Sequence, residues 1–338
     1  MRGRTALLHA GSGPEPDNPE GDTVDYANEA KMREGYGASV GILLEALPWI
    51  KKLTGKTVLI KYGGSAMESP ELMREVMTDI VMLRLVGVHP VIVHGGGKSV
   101  SAAFERLGIP VEFKNGQRVT PANAMTIVRE VLVGDVNQRL VDALNRHGHL
   151  AVGASGSDAC TIKATQMSAE LGRVGEIVRI DPTYIEHLIE DDFIPIIATV
   201  AAGDDGEPFN VNADVAAGQI AAAIKAHKII FLTDVDGLYE DFENKDSLVA
   251  VLSPDEARDL LASGAVGKGM IPKVESSLAA IDGGVPKAHI VNGKIPHSIL
   301  LELLTDYGIG TTIERPGEDK QGVSIDKLTA RLSPEEDQ

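Results

Sequence analysis

Residues 57–65 read TVLIKYGGS and residues 91–99 read VIVHGGGKS. Each is a short apolar run that stops at consecutive glycines and then enters a helical pattern. Pro70 sits at the first turn of the helix expected near 70–86, and a second helix is expected at 98–107. A buried strand that delivers the chain to a glycine turn and then to a helix is the repeating unit of a parallel sheet covered on both faces. The fold class is therefore α/β.

The same rhythm returns further along. Strands are expected at 193–198, 228–233 and 287–291, with a short one at 310–313. Helices are expected at 213–225, 254–263, 272–282 and 296–304. Between the two halves, 109–119 and 161–180 hold short β-like pieces broken by Gly, Asn and Pro, which read as hairpins at one edge. A helix at 121–146 separates them. Ahead of the first strand, Val40, Leu43, Leu44 and Leu47 follow the i, i+3, i+4, i+7 pattern of an amphipathic helix beginning near Ala38. Pro48 should kink or interrupt it. The acidic, Pro- and Gly-rich stretch before it places residues 1–37 in a disordered tail, and 315–338 reads as a polar tail.

Composition excludes several functions. The chain of 338 residues has a net charge of −17, which argues against a nucleic-acid binder, and aromatics at 4% are too few for a base-stacking platform. No apolar run reaches membrane-spanning length. A lone cysteine, Cys160, permits no internal disulfide, so a reducing cytoplasm is the expected compartment.

Both glycine turns lie at the carboxyl end of a strand, the edge where open α/β sheets bind ligands. Glycine allows close backbone approach, and a helix start offers free N–H groups to an anion. Tight strand-to-helix packing would also explain either turn alone. The Walker A spacing is absent, since Ile92 stands where its first glycine belongs. The dinucleotide fingerprint is broken at Val100. Charged residues add to the picture. Lys61 ends an apolar strand beside Gly63 and Gly64, and Lys273 follows the glycine-rich Gly267-Lys-Gly-Met270. Asp214 opens a helix. Phosphoryl transfer needs mainly positioning and positive charge, which two lysines and Mg2+ could supply with a carboxylate between the lysines. Arg118 suits bidentate binding of a carboxylate, although a surface ion pair would use the same residue. The histidines show no metal spacing.

The stretches IKYGGSAM (60–67), VIVHGGGKSV (91–100), NGQRVT (115–120), LVGDVNQRLVDALN (132–145), FNVNADVAAGQIA (209–221), FLTDVDGLY (231–239), GKGMIPKV (267–274) and HSILLELLTDYGIGT (297–311) occur in order. Together they resemble the acetylglutamate kinases of the amino-acid kinase family. The resemblance implies a three-layer αβα sandwich around a mainly parallel open sheet. It implies an N-terminal lobe (56–198) for N-acetyl-L-glutamate and dimerisation, and a C-terminal lobe (199–314) for ATP. Lys61 and Lys273 would stabilise the moving phosphoryl group, oriented by Asp214. Gly96, Gly97, Arg118 and Asn210 would hold the acid. Gly63, Gly64, Thr233, Asp234, Gly237, Tyr239, Gly267, Gly269 and Met270 would hold the nucleotide.

Arginine-sensitive members of this family also resemble the chain at the 38–55 helix, which would interlace dimers into a hexamer, a trimer of dimers. They resemble it again at Glu302–Gly308. The resemblance thus implies arginine as effector, bound by Lys228, Glu302 and Gly308, and leaves open a nitrogen-signalling protein as partner. The stretch 154–160 departs from the family's more glycine-rich pattern. Competing readings are a sibling kinase for aspartate, glutamate, carrier-bound aminoadipate or a nucleoside monophosphate, and a catalytically silent arginine sensor on the same fold.

Overall fold

The computed structural model describes residues 26–67, 69–241, 244–305 and 308–316. Helix α1 (Tyr26–Leu53) begins well before Ala38. Residues 26–37, expected as disordered tail, are helical because Ala, Glu, Lys, Met and Arg dominate them and favour helix without an apolar stripe. Residues 1–25, and 317–338 of the expected polar tail, lie outside the described residues. Nor does Pro48 interrupt the helix, which runs through it to Leu53. One backbone bond, to the Leu44 carbonyl, is forgone there, and the turns on either side continue. By its internal contacts the chain forms two units, one ending at Leu44 and one beginning at Glu45.

Within the second unit, β1 (Thr57–Tyr62) leads to α2 (Pro70–Leu85), and β2 (His89–His94) to α3 (Gly97–Arg106). A hairpin follows, β3 (Phe113–Lys114) and β4 (Gln117–Arg118). The expected helix at 121–146 has three parts: α4 (Ala122–Arg129), a π-helical segment (Glu130–Asn137) and α5 (Gln138–Asn145). Next come β5 (Ala151–Ser155), β6 (Ile162–Gln166), β7 (Gly175–Ile180), α6 (Thr183–Glu190), β8 (Ile194–Ala198), β9 (Val200–Ala202) and β10 (Pro208–Asn210). The remainder is α7 (Ala213–Ala223), β11 (Lys228–Thr233), β12 (Val251–Leu252), α8 (Pro254–Ala262), α9 (Ile271–Asp282), β13 (Lys287–Asn292), α10 (Ser298–Leu304) and β14 (Thr311–Glu314).

Eight strands form one sheet in the order β12-β14-β13-β11-β1-β2-β8-β5. The six from β13 to β5 are parallel, and β14 runs antiparallel to β13. A smaller four-stranded sheet, β10-β9-β6-β7, lies beside it.

Strand periodicity sorts the core into two layers. Leu59, Val91, Val93, Ile229, Phe231 and Ile290 face helices α6 to α9, meeting Ile185, Ile220, Ala257 and Leu278. Their neighbours Val58, Ile60, Ile92, Ile230 and Val291 face the opposite side, where Met77, Ile80, Leu140, Leu144 and Ile299 cover them. Helices on both faces of one sheet make the three-layer αβα sandwich. The segments expected as separate lobes share this sheet, with β1 and β11 paired at its centre. Every parallel strand therefore presents its carboxyl end to one edge.

Candidate active site

Lys61 is the penultimate residue of β1, so the strand carries its ammonium to the carboxyl edge. Asp214 reaches the same place from the first turn of α7. Asn212 caps that helix: its Oδ1 accepts from Asp214 N at 2.8 Å and Val215 N at 3.2 Å. Lys273 projects from the first turn of α9. The three meet, with Lys61 Nζ 2.8 Å from Asp214 Oδ1 and Lys273 Nζ 3.2 Å from Asp214 Oδ2. Lys273 also donates to the Gly269 carbonyl at 3.3 Å. Burial opposes charge on Asp214, but the two ammonium groups outweigh it and hold its carboxyl below the usual carboxylate range. The cluster keeps one positive charge in excess, which suits a phosphoryl group.

Next to it opens a cavity of about 640 Å³ whose walls include Gly64, Gly96, Gly97, Arg118, Asn210 and Ala213. All four residues expected to hold the acid line it. Arg118 is nearly buried at the end of β4, where its Nη2 donates to Gly97 O at 2.6 Å and Ser101 Oγ at 2.7 Å. Its guanidinium lies 5.5 Å from the Phe104 ring and 4.7 Å from Phe113. Nη1 is buried with no hydrogen-bond partner among the described residues, an uncompensated donor of the kind a carboxylate would satisfy. Asn210 Nδ2 donates to Thr120 Oγ1 at 3.3 Å.

Of the residues expected at the nucleotide, Gly64 alone lines this cavity. Its φ of +72° is a left-handed value that glycine adopts without strain. A Cβ on Gly63 would stand 3.2 Å from Lys61 Nζ, so glycine keeps that ammonium unobstructed. Thr233 to Tyr239 form the turn after β11. Thr233 Oγ1 accepts from Val235 N at 2.9 Å, and Asp234 is exposed. The Tyr239 hydroxyl donates to Asp236 at 2.9 Å, while Asn292 Nδ2 donates to the other Asp236 oxygen at 2.7 Å. A Cβ on Gly237 would run into Thr311 Oγ1. Gly267, Gly269 and Met270 form the entry to α9.

Sequence reasoning passed over Asn212 and the pairing of Asp236 with Asn292. The asparagine was findable, since an Asn two residues before an early-turn Asp is a cap signal. Asn292 sits on a different strand, and nothing local points to Asp236.

A second charged group occupies the opposite edge, at the amino end of β11. Lys228 Nζ lies 3.2 Å from His289 Nε2, and His289 Nδ1 lies 2.7 Å from Glu302 Oε1. Glu302 Oε2 accepts from Ile309 N at 2.8 Å and Gly310 N at 3.2 Å. Burial, followed by the charge of Lys228, pushes the His289 pKa down to about 4. The neutral ring therefore accepts from the lysine and donates to the carboxylate. Burial disfavours charge on Glu302, yet the His289 bond and the two backbone donors outweigh it and keep the carboxyl below its ordinary range. A Cβ on Gly308 would stand 3.2 Å from Glu302 Oε2, so the three residues expected at an effector converge.

Residues 56–292 match the amino acid kinase family. An acetylglutamate kinase of Caldanaerobacter subterraneus subsp. tengcongensis is 50% identical over 274 residues, covering 80% of this chain and 92% of its own. One from Desulfitobacterium hafniense is 48% identical over 282 residues, covering 80% and 95%. Among solved structures, the N-acetylglutamate synthase from Neisseria gonorrhoeae complexed with coenzyme A and N-acetyl-glutamate superimposes with a TM-score of 0.73 at 24% identity. It covers 82% of this chain and 63% of its own, a likeness of fold.

Proposed function

The chain belongs to the amino acid kinase family, and from that premise we propose that it phosphorylates the side-chain carboxylate of N-acetyl-L-glutamate with ATP. The observation that carries this reading is the Lys61–Asp214–Lys273 cluster beside a cavity that Arg118 lines, the Arg118 guanidinium keeping an unsatisfied donor. Relatives named acetylglutamate kinase, up to half identical, support the acceptor.

In this mechanism Arg118 holds the α-carboxylate and Asn210 helps to orient the acid, with the Gly96–Gly97 turn against its reacting end. A side-chain carboxylate oxygen attacks the γ-phosphorus, and the bond from that phosphorus to the β–γ bridging oxygen breaks. The electron pair leaves with ADP, and no covalent enzyme intermediate forms. Lys61 and Lys273 face the charge spread over the transferring oxygens. Asp214 keeps the ammonium groups apart and in register. Among the described residues no group of His, Cys, Asp and Glu side chains could hold a metal unaided, and Asp214 is taken up by the lysines. Magnesium would therefore enter with the nucleotide rather than on a preformed protein site, and would supply charge neutralisation when bound. The turns 233–239 and 267–270 receive the nucleotide, with Gly63 and Gly64 along its phosphates.

The finer parts of the reading are a cytoplasmic enzyme, an acid-binding lobe 56–198 and a nucleotide lobe 199–314. They include homo-oligomerisation through α1, whose Val40, Ile42, Leu43 and Leu44 are exposed, and feedback inhibition by arginine at Lys228, Glu302 and Gly308. ADP release with ATP, magnesium and N-acetyl-L-glutamate tests the reaction, with glutamate, aspartate and aminoadipate in parallel. Turnover restricted to the acetylated acid is expected, and silence with every acid from folded protein would sink it. A rate indifferent to millimolar arginine would remove the effector.

A further inference from the structure

The Gly95–Gly97 turn is braced from behind by His94, which ends β2 and is fully buried. His94 Nδ1 lies 2.8 Å from Gly95 O, and Nε2 lies 2.9 Å from Asn137 Nδ2. A carbonyl only accepts and an amide nitrogen only donates, so Nδ1 carries the proton and Nε2 accepts. Burial pushes the ring pKa down to about 4, which keeps this neutral form at physiological pH. The Asn137 amide is equally constrained. Its Nδ2 donates to Ile196 O at 2.8 Å and lies 3.4 Å from Ala154 O, so a flipped amide would set its oxygen against two carbonyls. Space for it exists because residue 153 is glycine, where a Cβ would collide with Asn137 Oδ1.

Asn137 arrives on the π-helical segment 130–137. Its i→i+5 bonding widens the turn relative to an α-helix, and the segment carries Leu132, Val136 and Asn137. Leu132 Cδ2 and Val136 Cγ2 press on Gly96, at 2.6 Å and 3.2 Å from where its Cβ would be. One segment thus packs against the glycine turn directly and grips it through His94. The first amides of α3 have no acceptor inside the helix, and their direction follows from the Gly95 peptide that His94 holds.

We propose that Asn137 is a positioning residue for phosphoryl transfer: acting through His94, it sets the orientation of the Gly95–Gly97 amides that receive the acid. It contacts no substrate itself, and its role rests on the kinase reading given above.

Nitrogen-15 NMR of the wild-type His94 ring at neutral pH should show Nδ1 protonated and Nε2 bare. An Nε2–H tautomer or an imidazolium would overturn the proposal. In steady-state kinetics Asn137→Leu, similar in size but unable to donate, should lower kcat/KM for N-acetyl-L-glutamate by about 10²-fold with KM for ATP unchanged. Gly153→Ala, which displaces the same amide, should shift kinetics in the same direction. Folded variants that keep kcat/KM for the acid, or that lose it together with ATP affinity, would also overturn the proposal. Should both variants fail to fold, the wild-type tautomer decides. A wild type that turns over no acid refutes the kinase reading instead, and the ring measurement still tests the Asn137–His94 bond.

Discussion

Two buried carboxylates sit at opposite ends of the same pair of strands. Asp214 lies beyond the carboxyl end of β1, between two lysines. Glu302 lies by the amino end of β11, between a neutral histidine and two backbone N–H groups. The first cluster carries excess positive charge and adjoins a cavity. In the second, Lys228 and Glu302 balance through His289, and the carboxylate is held by the His289 ring, the Ile309 and Gly310 N–H groups and the Thr312 hydroxyl. The difference teaches what burial alone does not. A carboxylate shared by two ammonium groups organises charge for an incoming anion, whereas one closed by histidine and backbone tethers chain segments to each other.

That contrast can be broken by mutation. Lys61→Ala should reduce kcat by about 10³-fold, the scale of losing a preorganised donor to transition-state charge, as read by ADP release. A loss below ten-fold would remove Lys61 from the chemistry. Asp214→Asn should cost about 3 kcal/mol in urea unfolding, because two nearby ammonium groups lose their counter-charge. Its folded pKa is depressed, so the wild-type contribution is present above the ordinary Asp pKa and fades only as pH falls through the lower folded value. The variant should lose that acid dependence. Glu302→Ala should cost about 2 kcal/mol by orphaning His289 and the Ile309 and Gly310 donors, with kcat changed far less than in Lys61→Ala. A collapse of kcat on the Lys61→Ala scale would erase the distinction between the clusters.

The smallest effect expected is that of mild acid. His94 and His289 both have folded pKa values of about 4 against an ordinary 6.5. Below 6.5 the unfolded chain binds protons that the folded one refuses, so stability falls with pH. The loss should reach about 1 kcal/mol per histidine at pH 5.5. His289→Gln should flatten half of that slope, and an unaltered slope would mean that the ring titrates normally in the fold.

Much of this was legible from sequence, for identifiable reasons. TVLIK, VIVH and KIIFLT are buried on both faces, so they read as continuous apolar runs between glycine turns. Strand β5 was missed because Ala151-Val-Gly-Ala-Ser155 has no such run, and its Gly153 must be small to admit Asn137. The helix at 121–146 was expected, but not its π-helical middle, since apolar residues there satisfy an α-helical period. That hidden register is what carries Asn137 to His94. Lys61, Asp214 and Lys273 were each suspect at a strand end or helix start, yet the short distances joining them come from three elements far apart in the chain. The helix before Ala38 was misjudged because proline and acidic residues nearer the terminus coloured the reading of a segment rich in helix formers.

Thr311 has a consequence for anyone recombining this enzyme with its relatives. Its hydroxyl accepts from Leu238 N at 2.8 Å and donates to Val249 O at 2.7 Å. The same oxygen fills the space that a side chain on Gly237 would need, and Gly310 is pressed against the Ile290 carbonyl. Segments 233–239, 248–252 and 308–314 are thereby machined to one another. A chimaera that transplants the first from a donor without the last inherits half of a fitted joint, so crossover points belong outside all three.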